Sequence, residues 1–136
     1  MKLIIYTDGG ARSNPGPAGI GAVIYNEKKE IIKEISEYIG ETTNNQAEYR
    51  AVVYALEAAK KIKADFLEFF LDSELVVKQL NREYKVKNKD LAPLFIKINN
   101  LILSFKKVNF THIRREFNKE ADRLVNLAVD KYLSKI

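Results

Sequence analysis

The sequence predicts an α/β fold: a five-stranded mixed sheet flanked by helices, with its elements in the order βββαβααβα. Three observations lead there. Residues 2–8 and 66–72 are near-continuous apolar runs, the pattern of strands buried on both faces beneath helices. Residues 20–26 and 31–38 flank a short polar turn at 26–29, as the arms of an antiparallel hairpin do. From residue 43 onward, apolar residues at helical spacing alternate with strand-like runs, the sign of parallel strands joined through helices.

The first strand, 2–8, stops at Asp8. The stretch 9–19 holds four glycines and two of the three prolines and reads as a loop, because that density suits neither helix nor strand. The two hairpin strands follow. Thr43, Asn44 and Asn45 then offer helix N-cap chemistry, and Val52, Ala55, Leu56, Ala59 and Ile62 fall on one face of the helix behind them, with Glu48 in its first turns. The strand 66–72 also stops at an aspartate, Asp72, after which Ser73 caps a helix containing Leu75, Val76, Val77 and Leu80. A polar, basic connector spans 81–89, a helix about 91–105, and a fifth strand about 108–113. A last helix starts near Asn118 with Val125, Ala128, Val129 and Tyr132 along one stripe, and Asp122 lies one turn into it. With no repeat, low-complexity tract or linker, residues 1–136 are expected to form one domain.

The hydrophobic fraction of 46% supplies an ordinary core. Without cysteine there is neither a disulfide framework nor a thiolate metal site. No signal-peptide pattern opens the chain and no apolar run approaches membrane-spanning length, so a cytoplasmic protein with no membrane association is expected. The net charge of +5, in a chain that concentrates acids at one place, leaves its basic excess elsewhere, an arrangement that suits a polyanion held near metal. A solvated, lysine-rich surface gives the same charge.

Asp8, Glu48, Asp72 and Asp122 are far apart in the chain, yet each falls where a strand or helix can aim its carboxylate at a common point. If the two apolar strands lie side by side and parallel, Asp8 and Asp72 become neighbours at one sheet edge. Such a cluster forces some carboxyls to protonate unless a cation neutralises them, and magnesium is a hard cation that takes oxygen ligands. The chain therefore reads as a metal-dependent enzyme. Asp8 also opens a run of small residues, Gly9 first among them, that would let a ligand backbone approach the main chain, with Asn14 placed to present an amide. Taken alone, that run reads first as a glycine-rich turn before a hairpin. Residues 43–48 combine hydrogen-bonding side chains with a helix N-terminus, which favours phosphate. They are equally a plain N-cap, except that Glu48 in the same stretch needs a partner.

The motifs Thr-Asp-Gly at 7–9 with Asn-Pro-Gly-Pro at 14–17, Thr-Thr-Asn-Asn-x-x-Glu at 42–48, Leu-Asp-Ser at 71–73, Val-Lys-Asn-x-Asp-Leu at 86–91 and Asn-x-x-Ala-Asp at 118–122 cover nearly the whole chain. Together they make the sequence resemble type 1 ribonuclease H, in a compact form lacking the basic protrusion and the histidine loop of larger relatives. The resemblance implies the ribonuclease H-like fold and endonucleolytic hydrolysis of the RNA strand of an RNA/DNA hybrid, leaving 5′-phosphate and 3′-hydroxyl ends. It makes Asp8, Glu48, Asp72 and Asp122 both the catalytic residues and the metal ligands, holding two Mg2+ ions with Mn2+ as a substitute. It places Asn14, Asn44 and Asn45 around the minor groove, where the 2′-hydroxyl marks RNA, with Gly9 beside them, and Thr43 and Asn88 on a phosphate of the DNA strand. No protein partner is implied. Two alternatives stand beside this reading: a catalytically silent hybrid-binding module, which the presence of all four acids argues against, and a nuclease of the same fold acting on double-stranded RNA.

The pattern departs from the family in three places. Residues 114–118 are too short for a histidine loop, so His112, the one histidine, reads as a strand residue. Arg115 is the better candidate for the vacant place, holding a phosphate or aiding product departure, since a guanidinium stays protonated and cannot act as a base; its alternative is a surface arginine paired with a nearby glutamate. Only Arg82, Lys85, Lys87 and Lys89 mark the connector where larger relatives insert a Trp-bearing protrusion, which predicts salt-sensitive binding. Glu41 stands where some relatives carry a basic residue.

Overall fold

In the computed structural model, which describes all 136 residues, β1 (Lys2–Ala11) lies at the centre of a five-stranded sheet of order β3-β2-β1-β4-β5. β2 (Gly16–Tyr25) runs antiparallel to both β1 and β3 (Ile31–Thr42), while β4 (Phe66–Leu71) and β5 (Lys107–His112) continue the sheet in parallel. The helices are α1 (Asn44–Ile62), α2 (Glu74–Leu80), α3 (Ala92–Ile102) and α4 (Lys119–Leu133), the last preceded by a 3-10 turn at Arg115–Phe117. The element order is the expected one.

Strand alternation decides what each face buries. Leu3 and Ile5 of β1, Leu67 and Phe69 of β4, and Ile20 and Ile24 of β2 are fully or almost fully buried. They meet the Val52, Leu56 and Ala59 stripe of α1 in a core of 24 buried residues. Each such Leu, Ile or Phe contributes about 1.5–3 kcal/mol by leaving water. α4 covers the opposite face, over β2 and β3. No helix is long and apolar enough to cross a membrane.

The stretch 9–19 is not a loop. β1 continues to Ala11 and β2 begins at Gly16, leaving only residues 12–15 irregular. Helices press on these strands at Gly9, Gly19 and Gly21, while Gly16 makes room for the turn's own Arg12 carbonyl. A Cβ on Gly9 would lie 2.3 Å from the Ala47 carbonyl carbon of α1, and one on Gly21 would lie 2.2 Å from the Ala121 oxygen of α4. β3 likewise runs on to Thr42 instead of stopping at residue 38. Between the Gly19–Tyr38 and Ala18–Gly40 pairs, Ile39 is an extra residue, and this bulge breaks the alternation from which the strand was read. α3 ends at Ile102, short of residue 105.

Candidate active site

β4 stops at Leu71, immediately before Asp72, but β1 does not stop at Asp8. Its parallel pairing with β4 ends at Tyr6–Phe70, whereas its antiparallel pairing with β2 goes on through Asp8–Gly21 to Ala11–Ala18. The sheet therefore opens beside Asp8, and the two aspartates come level there, where the parallel pairing of the central strands ends and not at an outer edge. Glu48 reaches the same point because Gly9 lets the N-terminal turns of α1 rest directly on β1. Thr43 fixes that end of the helix: its hydroxyl accepts the Gln46 N–H at 3.2 Å, and the Gln46 side-chain oxygen accepts the Thr43 N–H at 3.2 Å.

One carboxylate oxygen from each of Asp8, Glu48 and Asp72 lies within 4.8 Å of the others. Asp122, in the first turn of α4, lines the same cleft of about 450 Å³ but stands outside that tight group of three. Asp8 and Glu48 are only 8% and 6% exposed. Burial pushes the Asp8 carboxyl up to about 7; a hydrogen bond with Glu48 pulls it back, and the charges of Asp72 and Asp122 drive it further up. Glu48 is raised well above the ordinary carboxylate range by burial and then by Asp8 and Asp72, with the Gly9 N–H pulling the other way. Its Oε2 is buried without a hydrogen-bond partner.

Around this core, Asn126 donates to the Asp122 carbonyl at 3.1 Å and weakly to its Oδ2 at 3.4 Å. Arg12 donates to Asp130 Oδ1 at 2.7 Å and Asn126 Oδ1 at 3.2 Å, tying the turn after β1 to α4. Asn118 donates from Nδ2 to Asp72 Oδ2 and to the Thr7 carbonyl, both at 2.9 Å. Sequence reasoning gave no role to Arg12, Asn118, Asn126 or Asp130. Asn126 and Asp130 were within its reach, since they follow Asp122 by one and two turns on the same helix face. Asn118 was harder to see, because an asparagine at a helix start reads as a cap.

Of the expected substrate residues, Gly9, Asn44 and Asn45 line the cleft. Gly9 does so while the space its missing Cβ leaves is filled by the Ala47 main chain of α1. Asn44 Oδ1 accepts the Ala11 N–H at 2.8 Å, and the Asn44 N–H donates to Asn14 Oδ1 at 2.9 Å, which leaves the side-chain NH2 groups of both asparagines uncommitted. Asn14, Thr43 and Asn88 are not part of the cleft lining. Asn88 sits in the connector before α3, where its Oδ1 accepts the Asp90 N–H at 2.7 Å. Arg115 lines the cleft and makes no ion pair; the neighbouring Arg114 and Glu116 pair with each other at 3.5 Å. His112 ends β5 as a strand residue, paired with Leu71, with its Nδ1 3.9 Å from Glu74 and away from the cleft lining.

Residues 6–128 match the family model described as reverse transcriptase-like. A ribonuclease H of Clostridium botulinum is 34% identical over 154 residues, covering 96% of this chain and 97% of that protein. The chain belongs to the ribonuclease H family. Among other members of the ribonuclease H family, ribonuclease HI of Halobacterium salinarum is 41% identical, over 95% of this chain and 65% of the relative. A bifunctional protein of Mycobacterium tuberculosis is also 41% identical, but the chain spans only 36% of its length. The solved N-terminal RNase H domain of that mycobacterial protein superposes with a TM-score of 0.92 at 40% identity, over 96% of this chain and 100% of that one. LC11-RNase H1, isolated from compost by a metagenomic approach, was solved in complex with an RNA/DNA hybrid; it gives a TM-score of 0.92 at 49% identity, over 96% and 99% of the two chains.

The site fits a divalent cation on its own chemistry. Three carboxylates converge, two of them are buried enough to resist ionisation, and one buried oxygen has no hydrogen-bond partner. Hard oxygen donors of this kind suit magnesium or manganese.

Proposed function

We propose that the chain is a metal-dependent endoribonuclease that hydrolyses the RNA strand of RNA/DNA hybrids, leaving 5′-phosphate and 3′-hydroxyl ends. The observation that carries this reading is the buried Glu48 carboxylate. It has an unpartnered oxygen and faces two aspartates in an open cleft, an arrangement that costs stability unless a cation completes it. The hybrid complex of LC11-RNase H1, at 49% identity, supports the substrate class.

Asp8, Glu48 and Asp72 would hold Mg2+, or Mn2+ in its place, with Asp122 completing the set from α4. When bound, the cation supplies the positive charge that keeps these acids ionised and the Lewis acidity that activates water and stabilises the leaving oxygen. Everything else falls to the chain. The free amide of Asn44 and the side chain of Asn45, held at the N-terminus of α1, meet the minor groove where 2′-hydroxyls distinguish RNA. Asn14 adds its own amide from the neighbouring turn, while Thr43 and Asn88 hold the DNA strand by phosphate. Such contacts fix register and not sequence, so cutting is largely sequence-independent. Arg115 contributes a fixed positive charge in the cleft, placed to hold a phosphate or release the product, and it moves no proton.

The test is cleavage of an end-labelled RNA/DNA hybrid with Mg2+ or Mn2+, beside double-stranded RNA, duplex DNA and an Asp72→Asn control. Metal-dependent cuts confined to the hybrid's RNA strand and lost in the control are expected. Tight binding without cutting would show a silent binding module, and equal cutting of double-stranded RNA would move the substrate class. Arg115→Ala is expected to slow turnover, and unchanged turnover would remove Arg115 from the site.

A further inference from the structure

We propose that Asn118 is a positioning residue for the metal site, one that ties together the elements carrying Asp8, Asp72 and Asp122; the assignment rests on the nuclease reading above. Asn118 occupies the N-cap position of α4, where an asparagine ordinarily turns its side-chain oxygen back to accept an N–H of the first helical turn. Here it makes no such cap. The side chain, 1% exposed, turns inward, and Nδ2 spends its two hydrogens on the Thr7 carbonyl and on Asp72 Oδ2, each at 2.9 Å. Thr7 immediately precedes Asp8 on β1, and Asp72 immediately follows β4. The Asn118 main-chain carbonyl accepts the Asp122 N–H at 3.2 Å. One residue thus links three of the acids, through β1, β4 and α4.

The cost of this arrangement is visible. Asn118 Oδ1 is buried without a partner, although the cap would have used it. A side chain serving only the fold gains more by capping the helix than by surrendering its acceptor, so the choice of partner points to the Asp72 carboxylate. With Oδ2 held by a neutral amide, Asp72 keeps one rotamer and leaves Oδ1 for the cation. Partners of this kind orient a metal ligand without touching the metal.

The experiment compares wild type, Asn118→Ala and Asn118→Asp, below their unfolding temperatures. Mn2+ and, separately, Mg2+ are titrated calorimetrically without substrate, and kcat and KM are measured on a hybrid. Aspartate keeps the shape and is itself a good N-cap, so that variant is expected to fold even where alanine does not, and once ionised it has no hydrogen to offer Asp72; the measurements are therefore repeated at rising pH and read where its carboxyl is ionised. Both variants are expected to weaken metal binding and lower kcat by about 10–100-fold, with KM near wild type. The proposal is overturned if Asn118→Asp keeps wild-type metal affinity and kcat, which would make the role one of shape alone. It is equally overturned if both variants lose kcat while binding metal as wild type does. If wild type binds metal but cuts no hybrid, the nuclease reading fails, and the titration still decides the Asn118 assignment.

Discussion

Glu48 and Asp8 share a setting that a carboxylate tolerates either protonated or beside a cation, and this couples the stability of the metal-free protein to pH. Asp8 is raised from 3.8 to about 7, so the folded state binds its proton more tightly than the unfolded chain does. That stability is fully present below pH 4 and is lost as pH rises through 7, by at most about 4 kcal/mol at about 1.4 kcal/mol per unit. Metal-free protein is therefore expected to melt at a lower temperature at pH 8 than at pH 5, and Mg2+ or Mn2+ to restore the difference at pH 8. Asp8→Asn should abolish cleavage yet stabilise the metal-free protein at pH 8 by about 1–3 kcal/mol, since it removes a buried charge lacking a counterion. A melting point below that of wild type would refute this. These acids were legible in the sequence because two close apolar runs and two lie early in amphipathic helices. Asn118 was not, because its cap position gives no sign that its side chain faces the other way.

Two close approaches between main chains decide where the helices sit. Gly9 seats α1 and so Glu48; Gly21 seats α4 and so Asp122, the residue after Ala121. A methyl group at Gly21 would meet backbone, not a yielding side chain, so Gly21→Ala is expected to cost at least about 1–3 kcal/mol and to displace Asp122. Its melting temperature and its kcat should fall together, and a wild-type kcat in a destabilised variant would uncouple the glycine from the site. Leu56→Ala, in the α1 stripe far along the helix from Glu48, should instead cost about 2–5 kcal/mol with kcat per folded molecule preserved. At this scale the sequence misled. Glycine density signals a loop when read locally, whereas at Gly9 and Gly19 it records helices that arrive from residues 47 and 125, a distance no local pattern spans. The end of β3 was hidden in the same way by the Ile39 bulge, which breaks the period that reveals a strand.

Across the whole molecule, the net charge of +5 is set against a cleft lined by four acids and two arginines, Arg12 and Arg115, so the basic excess lies mostly away from the cleft. Hybrid affinity, measured with the Asp72→Asn protein, is expected to fall steeply between low and moderate salt. Replacing Lys85, Lys87 and Lys89 together should flatten the log–log slope by about 0.7–0.9 for each phosphate that these lysines neutralise in the wild-type complex. An unchanged slope would show that the connector does not touch the nucleic acid. The order of elements and the mixed sheet were legible because apolar runs and helical stripes alternate along nearly the entire chain. Where the antiparallel pairing outlasts the parallel was not, since it depends on partners, and that mismatch is what opens the sheet beside Asp8.

The fourth acid of the cleft rides on α4, which follows every other element in chain order. A chain leaving the ribosome therefore presents Asp8, Glu48 and Asp72 well before Asp122 and before Asn118 can brace Asp72. At about 5–20 residues per second, the 50 residues from Asp72 to Asp122 take about 3–10 s to synthesise. Throughout that interval the nascent polypeptide lacks the fourth carboxylate of the cleft, and the proposed cutting centre is complete only once α4 has been made.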